Sequence, residues 1–419
     1  MLFRSMNIKK TLLENRTFLF HILLTTFFGA IISFLNYLFS VYLARNISEY
    51  DFGLYNAALG LIYLIQIPAI AIQAAITKKI AQKRDFNLSK FKKDSFLTFF
   101  IVAIVLSSIF YLFRYQISDI ANLPVKFMIP LTITLFSAIL SPLSKGFLLG
   151  LEKIVPLNII LLLETIVKFA LGYITVKMSL DITLPILATS LPALLSMILV
   201  LPFLNSNSIK LPTKKISLEY KPILLMFVTF FLINTPYTLD LILVNPEVRA
   251  EYGALSLLGK VVYFAAVTIA SVMFSKLSNQ SREKRNKTLL ISLIFTALTG
   301  LAISLGYYLF SEQIVDIVFK GQYLGISKYM GLYGLAMTSY AIAFMIINAF
   351  LVNDSYKHIP FLLLLTILQV ILFKINNNSL QDAFNNQLVV YGILTIFVFV
   401  ILIFNIFRND KIRRKENSQ

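Results

Sequence analysis

The sequence contains no cysteine, no tryptophan and only two histidines in 419 residues. Without cysteine there are no disulfides, no cysteine-held zinc and no iron–sulfur cluster. That absence does not fix the compartment, because a membrane protein can do without thiols. His21 and His358 alone make a poor basis for a histidine metal site, so neither a metal nor a cofactor is expected. Charge is scarce as well. Only 14% of residues are charged, against about 25% in an ordinary soluble domain. There is no phosphate-binding glycine loop, no HExxH and no paired-cysteine spacing, and the chain is not expected to be an enzyme. Acid is the scarcer sign, with 20 Asp and Glu against 38 Lys and Arg and a net charge of +18. In a soluble protein that excess points to nucleic acid. Here it points to basic loops facing an anionic membrane leaflet, and no nucleic-acid partner is expected.

What the sequence has is apolar surface: 58% hydrophobic residues and a mean hydropathy of +0.79. No domain of this length builds a core large enough to hide so much of it from water. The excess falls into runs of about 17–25 residues, the length that crosses hydrocarbon as a helix. Twelve such segments are predicted: 18–40, 54–76, 95–113, 127–149, 154–176, 182–204, 222–244, 252–275, 288–310, 329–352, 359–373 and 387–407. The first is too long for the apolar core of a cleavable signal and lacks a small-residue cleavage site. The expected fold class is an all-α polytopic membrane protein with about 12 transmembrane helices in two six-helix bundles. The expected domains are an N-terminal bundle (1–205), a polar linker (206–221), a C-terminal bundle (222–408) and a basic tail (409–419). Lys and Arg divide 28 to 8 between alternate sides, with Lys168 and Lys260 inside spans. By the positive-inside rule both termini lie in the cytoplasm and the chain sits in the cytoplasmic membrane.

Residues 36–55 and 236–255 align without gaps. Tyr37 matches Tyr237, Leu43 matches Leu243, Asp51 matches Glu251, Phe52 matches Tyr252 and Gly53 matches Gly253. Each stretch covers the end of a half's first span, an acidic outer turn and the start of its second span. Halves of even span number share one orientation. A parallel repeat follows, with a pseudo-twofold along the membrane normal and a substrate path at the interface of the halves.

These stretches carry a family resemblance. The run YLARNISEYDFGLYNAALGLIYLI (42–65) resembles the first outer turn and second helix of the oligosaccharide flippase branch of the multidrug/oligosaccharidyl-lipid/polysaccharide exporter superfamily. The run LDLILVNPEVRAEYGALSLLGKVVYFAA (239–266) is similar to the matching segment of its second half. The resemblance implies two six-helix bundles rocking about a central cavity by alternating access. It also implies undecaprenyl-diphosphate-linked oligosaccharides as substrate, carried from the inner to the outer leaflet. The chain departs from the lipid II flippase branch, which has fourteen spans.

Ionisable groups inside spans are expensive and therefore mark candidate sites. Glu164 and Lys168 lie four residues apart in the fifth span, on one face, in the favourable order for an ion pair. They either cancel each other's charge, or Lys168 meets a diphosphate while Glu164 holds it or takes a proton; lysine suits phosphate as a point charge. Asp240 is expected about 7 Å below Asn245, and Lys260 about 12 Å below Tyr252. The two form either an interhelical salt bridge or a switch in which protonation of Asp240 frees Lys260. Arg45, at the outer end of the first span, either meets an anionic headgroup or snorkels to the interface. Pro68, and the stretch Asn234-Thr235-Pro236, interrupt helical hydrogen bonding and are hinge candidates, with a static kink as the alternative. Gly146-x-x-x-Gly150 reads as a close helix contact.

Three functions compete. A flippase for a polyprenyl-diphosphate-linked oligosaccharide needs cations in a wet cavity, and lacks a nucleotide motif, so a coupling ion (proton or sodium) or the substrate gradient drives it. Membrane lipids are its other partners. A cation-coupled multidrug exporter of the same superfamily would favour acids in its cavity. A membrane glycosyltransferase or ligase would need a larger outer loop than 311–328.

Overall fold

The protein, seen in a computed structural model, is described over residues 16–81, 88–204, 220–278, 282–352 and 355–416. Those residues form fourteen α-helices. Six long ones come first: α1 (Arg16–Asn46), α2 (Glu49–Ala81), α3 (Leu88–Leu112), α5 (Met128–Gly150), α6 (Ile154–Lys177) and α7 (Thr183–Leu204). Six more follow: α8 (Tyr220–Leu243), α9 (Arg249–Ser278), α10 (Arg282–Leu309), α12 (Ser327–Val352), α13 (Ile359–Ile375) and α14 (Leu380–Glu416). Each predicted span has its helix. The helices outrun the apolar runs, because capping and the loss of water, not hydropathy, decide where they stop. Ser48 starts α2 by a reciprocal cap, its Oγ accepting from the Asp51 N–H at 3.1 Å and donating to the Asp51 carboxylate at 2.7 Å. Ser379 and Asp382 repeat the device at the start of α14. Nine helices among the described residues are long and apolar enough to cross a membrane, so this is a multi-pass membrane protein. The expected linker, 206–221, lies outside the described residues except for its last two. The expected tail lies within them only to Glu416, where α14 ends.

Two short helices are not in the sequence reading: α4 (Arg114–Ala121) and α11 (Ser311–Phe319). The second lies within the expected outer loop at 311–328. At eight and nine residues both are too short to carry a membrane-length apolar run. Each is followed by a left-handed residue, Asn122 (φ 47°) or Lys320 (φ 55°). A single 3₁₀ turn then leads into the next long helix, at Val125–Phe127 and at Leu324–Ile326. The order long, short, 3₁₀, long thus occurs once in each half, which extends the sequence repeat to structure.

The described residues gather in two compact units. The first takes in 1–40, 68–114 and 126–218; the second takes in 41–67, 115–125 and 219–419. Their boundaries cut α1 after Ser40 and α2 between Ile67 and Pro68. In the first unit α5 is the central element, 72% of its best apolar window being buried. Leu143, Phe147 and Leu148 pack there against Ile76, Ala103, Ile160 and Val200. In the second unit α12 holds the same place, with 78% buried. Both are the fourth long helix of their half. Several hydroxyls on these buried helices bond back to their own backbone, as Thr134 does to the Pro130 carbonyl and Thr338 to that of Gly334. Such pairing meets the demand that nothing polar be left bare in hydrocarbon.

The two repeat stretches lie against each other within the second unit. A Cβ on Gly53 would sit 3.5 Å from the Ala250 nitrogen, one on Gly253 would strike the Asn56 side chain, and one on Gly60 would sit 2.8 Å from the Thr238 carbonyl. Glycine is what lets these backbones approach. In the first unit Gly146 and Gly150 bring α5 onto α2 as the small-residue spacing predicts. A Cβ on Gly150 would come within 2.6 Å of the Ile80 Cβ. Gly150→Ala will therefore lower the melting temperature in detergent, although alanine ordinarily stabilises a helix interior over glycine by about 1 kcal/mol. Ile80→Ala in the same chain will restore part of the loss, and a double-mutant cycle with no coupling would contradict the contact.

Candidate functional sites

In the first unit, α6 presents Glu164 and Lys168, and the expected pair between them is not formed. Glu164 Oε2 instead accepts from Lys145 Nζ of α5 at 2.8 Å, with both side chains 14% exposed. Sequence reading had placed Lys145 among the loop cations, whereas it stands more than a turn inside α5. A neighbour on another helix was invisible to an i,i+4 argument. Lys168 is thereby released from the acid. Its Nζ donates to Asn36 Oδ1 of α1 at 2.8 Å and lies 4.9 Å from the centre of the Phe39 ring. That ring meets Phe169 edge-on at 6.0 Å. It also lies flat over Gly172, where a Cβ would come within 2.1 Å of its Cε2. Lys168 is half-buried, held by a neutral amide and an aromatic face.

The second unit holds the other candidates. Asp240 of α8 and Lys260 of α9 are 1% and 3% exposed, yet they form no salt bridge. Asp240 Oδ2 accepts from Tyr252 Oη at 2.7 Å, and Oδ1 accepts from the Leu241 N–H at 2.8 Å. Lys260 Nζ sits 4.8 Å from the ring centre of Tyr63 and 5.2 Å from that of Tyr237. Those two rings stack at 6.3 Å. Tyr237 also packs on Tyr263 at 4.7 Å and on Tyr340 at 5.7 Å, and Tyr340 meets Tyr391 at 4.9 Å. A ring face attracts a cation through its quadrupole, so Lys260 keeps its charge among tyrosines without a carboxylate in contact. The result mirrors the first unit: each acid has another partner, and each mid-span lysine rests on neutral groups.

Arg45 departs from both readings offered for it. Its guanidinium donates to the carbonyl oxygens of Ile317 and Val318, at the end of α11, and is engaged with protein rather than headgroup. Among the hinge candidates, Asn234 donates to the Phe230 carbonyl at 2.7 Å, one turn back along α8. Pro236 lies inside α8 and Pro68 inside α2, and both helices continue through them. The Pro236 carbonyl accepts two side-chain amides, Gln369 Nε2 of α13 at 2.9 Å and Gln387 Nε2 of α14 at 2.6 Å. Gln369 also donates to Gln387 Oε1 at 3.1 Å. Both glutamines are fully buried. The sequence reading missed them, and missed Asn36, because it searched spans for formal charge and proline alone. A search for intramembrane amides finds all three.

His358, given no role from sequence, is buried against Phe350, with Nε2 3.3 Å from Thr229 Oγ1. Burial pushes its imidazole down to about 4, so it is neutral at physiological pH.

With this geometry in hand, comparison with known proteins places the chain. The family model described as polysaccharide biosynthesis protein matches residues 19–246. The fold is shared with a structure of the lipid II flippase MurJ in an inward closed conformation. That match has a TM-score of 0.70 at 16% identity, over 91% of this chain and 87% of that one. A multidrug resistance MATE family transporter of the MOP superfamily, inward-facing, matches at TM-score 0.68 and 12% identity over 91% of this chain and 96% of that one. An outward-facing MATE structure of that superfamily matches at 0.62 and 13%, over 92% and 94%. Comparison with curated proteins gave no match. The fold is thus one seen in both inward- and outward-facing states.

The Lys145–Glu164 pair is set largely in protein, so removing one partner strands the other. Glu164→Gln and Lys145→Met will each destabilise, by less than the ~3–5 kcal/mol of a fully sealed pair. The double variant Lys145→Met/Glu164→Leu will recover most of that loss. Thermal unfolding in detergent measures all three, and a double variant worse than both singles would contradict the pairing.

Proposed function

Because the chain belongs to the polysaccharide biosynthesis protein family, we propose that it is a flippase that carries a polyprenyl-diphosphate-linked oligosaccharide across the cytoplasmic membrane by alternating access. One observation favours this reading over cation export. The intramembrane acids are engaged, Glu164 with Lys145 and Asp240 with Tyr252, whereas Lys168 and Lys260 rest on an amide and on aromatic faces. What is left over inside the spans is positive charge, which suits a diphosphate and repels a cationic drug.

The physical task is to take a sugar-diphosphate headgroup through hydrocarbon, where its polar groups would otherwise lose their hydration. Lys168 in the first unit and Lys260 in the second are each a candidate point charge for a diphosphate. The tyrosines beside Lys260 offer ring faces and hydroxyls to sugars, while the prenyl chain stays in lipid. Arg45 is the third candidate of the substrate-binding set, with Nε and Nη2 donating to helix carbonyls in this structure. The bundles 1–205 and 222–408, joined through 206–221, are the moving parts, and Pro68 and the Asn234–Pro236 stretch are their hinges. That the unit boundary in α2 falls at Pro68 supports the first hinge. The grip of two buried glutamines on the Pro236 carbonyl supports the second. The 28-to-8 division of basic residues supports cytoplasmic termini. A proton or sodium gradient supplies the energy, with Asp240 as the protonation candidate. The chain performs transport and no bond-making chemistry.

The decisive experiment is headgroup translocation of a defined polyprenyl-diphosphate oligosaccharide in proteoliposomes, with and without an ion gradient. Lys168→Gln and Lys260→Gln will each slow translocation roughly 10–100-fold, the worth of one charge-assisted hydrogen bond. Wild-type rates in both would remove these lysines from the site. Extrusion of a cationic dye without headgroup transport would favour the multidrug reading. Asp240→Asn will flatten the pH dependence of translocation, and an unchanged pH profile would exclude Asp240 as the coupling group.

A further inference from the structure

Two arginines in the second unit each cap a helix from the other half of the sequence, and Arg249 caps one of its own half as well. Arg249, first residue of α9, belongs to the second half. Its Nη1 donates to the Asn122 carbonyl at 3.2 Å and its Nη2 to that of Ala121 at 3.3 Å, at the end of α4 in the first half. The same Nη2 lies 3.3 Å and 3.2 Å from the carbonyls of Ile242 and Val244, where α8 ends. Arg45, at the end of α1, belongs to the first half, and it donates to the Ile317 and Val318 carbonyls that end α11 in the second. The last carbonyls of a helix have no partner within it and carry its partial negative charge. A guanidinium meets both needs with a fixed fork of donors.

The arrangement is reciprocal in outcome but not in register. Under the offset that aligns the halves, Arg45 falls opposite Asn245, and Arg249 opposite Glu49. The bonds of Arg249 to the end of α8 are a local staple within its own half, whereas its bonds to α4 and those of Arg45 to α11 run between the halves. Crossed as they are, they break in any motion that parts the halves at this end. Burial makes that break costly in one step. Arg249 is 1% exposed, and withdrawing α4 takes away carbonyl partners while the charge is still out of water. The glycine contacts between the repeat stretches close the space around it: Gly53 against Ala250, Gly253 against Asn56 and Gly60 against the Thr238 carbonyl. Aromatic rings pack nearby as well, Phe52 tilted against Tyr323 at 5.9 Å and Tyr323 edge-on to Phe319 at 5.4 Å.

We propose that Arg45 and Arg249 form a crossed latch that holds the outer end of the second unit shut, and that both guanidinium groups withdraw from their helix ends when the protein opens outward. The latch rests on the transport reading above for its direction, since cytoplasmic termini put the 47–48 turn outside.

The absence of native cysteine makes the test direct. A single cysteine at Ala57, fully buried in α2 beside the repeat contact, reports opening by its alkylation with a membrane-impermeant maleimide added to the outer face of intact cells. Arg45→Gln/Arg249→Gln will raise the alkylation rate about tenfold or more, the mark of a shifted two-state population. Arg45→Gln alone, at a half-buried position that tolerates substitution, will raise it by less. Arg45→Lys and Arg249→Lys, which keep the charge but not the fork, will fall between. An unchanged rate in the double variant with an unchanged melting temperature overturns the latch; should the double variant not fold, an unchanged rate in Arg45→Gln overturns it. Labelling needs no substrate, so the two proposals separate. Faster labelling without headgroup translocation keeps the latch and removes the flippase reading, while translocation with unaltered labelling does the reverse.

Discussion

Hydrocarbon offers no hydrogen bonds, and most polar groups of the described residues answer to that constraint. Backbone groups are satisfied by helices, hydroxyls by the carbonyl one turn back, and helix ends by caps or by arginine. The same constraint explains how the few intramembrane charges are housed. Glu164 reaches across to α5 for Lys145, and Asp240 takes a tyrosine hydroxyl and a backbone N–H. A carboxylate in such a place must be paired or neutral. The lysines are held more loosely, by an amide oxygen and by ring faces, which attract a cation without cancelling it. The result is a pair of cationic positions inside an otherwise apolar protein.

Span number and order were legible from hydropathy alone, because a membrane imposes a length that no other context requires. All twelve long helices coincide with the apolar runs. The turn at 47–48 and its repeat were legible too, through capping residues and glycines that the backbone needs. The short helices α4 and α11 were not, since eight or nine residues are too few for the membrane-length apolar run that marks the others. The site was legible by residue type and illegible by partner. Sequence named Lys168, Glu164, Asp240 and Lys260, then paired them by proximity along the chain. Packing paired them across helices, through Lys145, Asn36, Tyr252 and Tyr63. An i,i+4 rule describes an isolated helix; in a bundle a neighbouring helix offers a better-placed group.

The repeat shows how duplication and divergence share the work. The fourth long helix of each half is its unit's centre, and each half carries the same short helix and 3₁₀ turn. Yet the functional decorations differ between halves. The first places its lysine over Phe39 against an asparagine, the second places its lysine between two tyrosines inside a larger aromatic cluster.

The length of α2 has a mechanical consequence. Its 33 residues make a rod of about 50 Å at 1.5 Å per residue, well beyond the ~30 Å of a bilayer's hydrocarbon. Pro68 divides it, leaving a stiff arm of about 20 Å from there to Ala81. A bend of ~10° at that proline would carry the arm's tip through about 3.5 Å on the same ruler, the width of a strand of sugar. Leverage of this sort lets a modest change of angle at mid-membrane become a clear displacement at the rim.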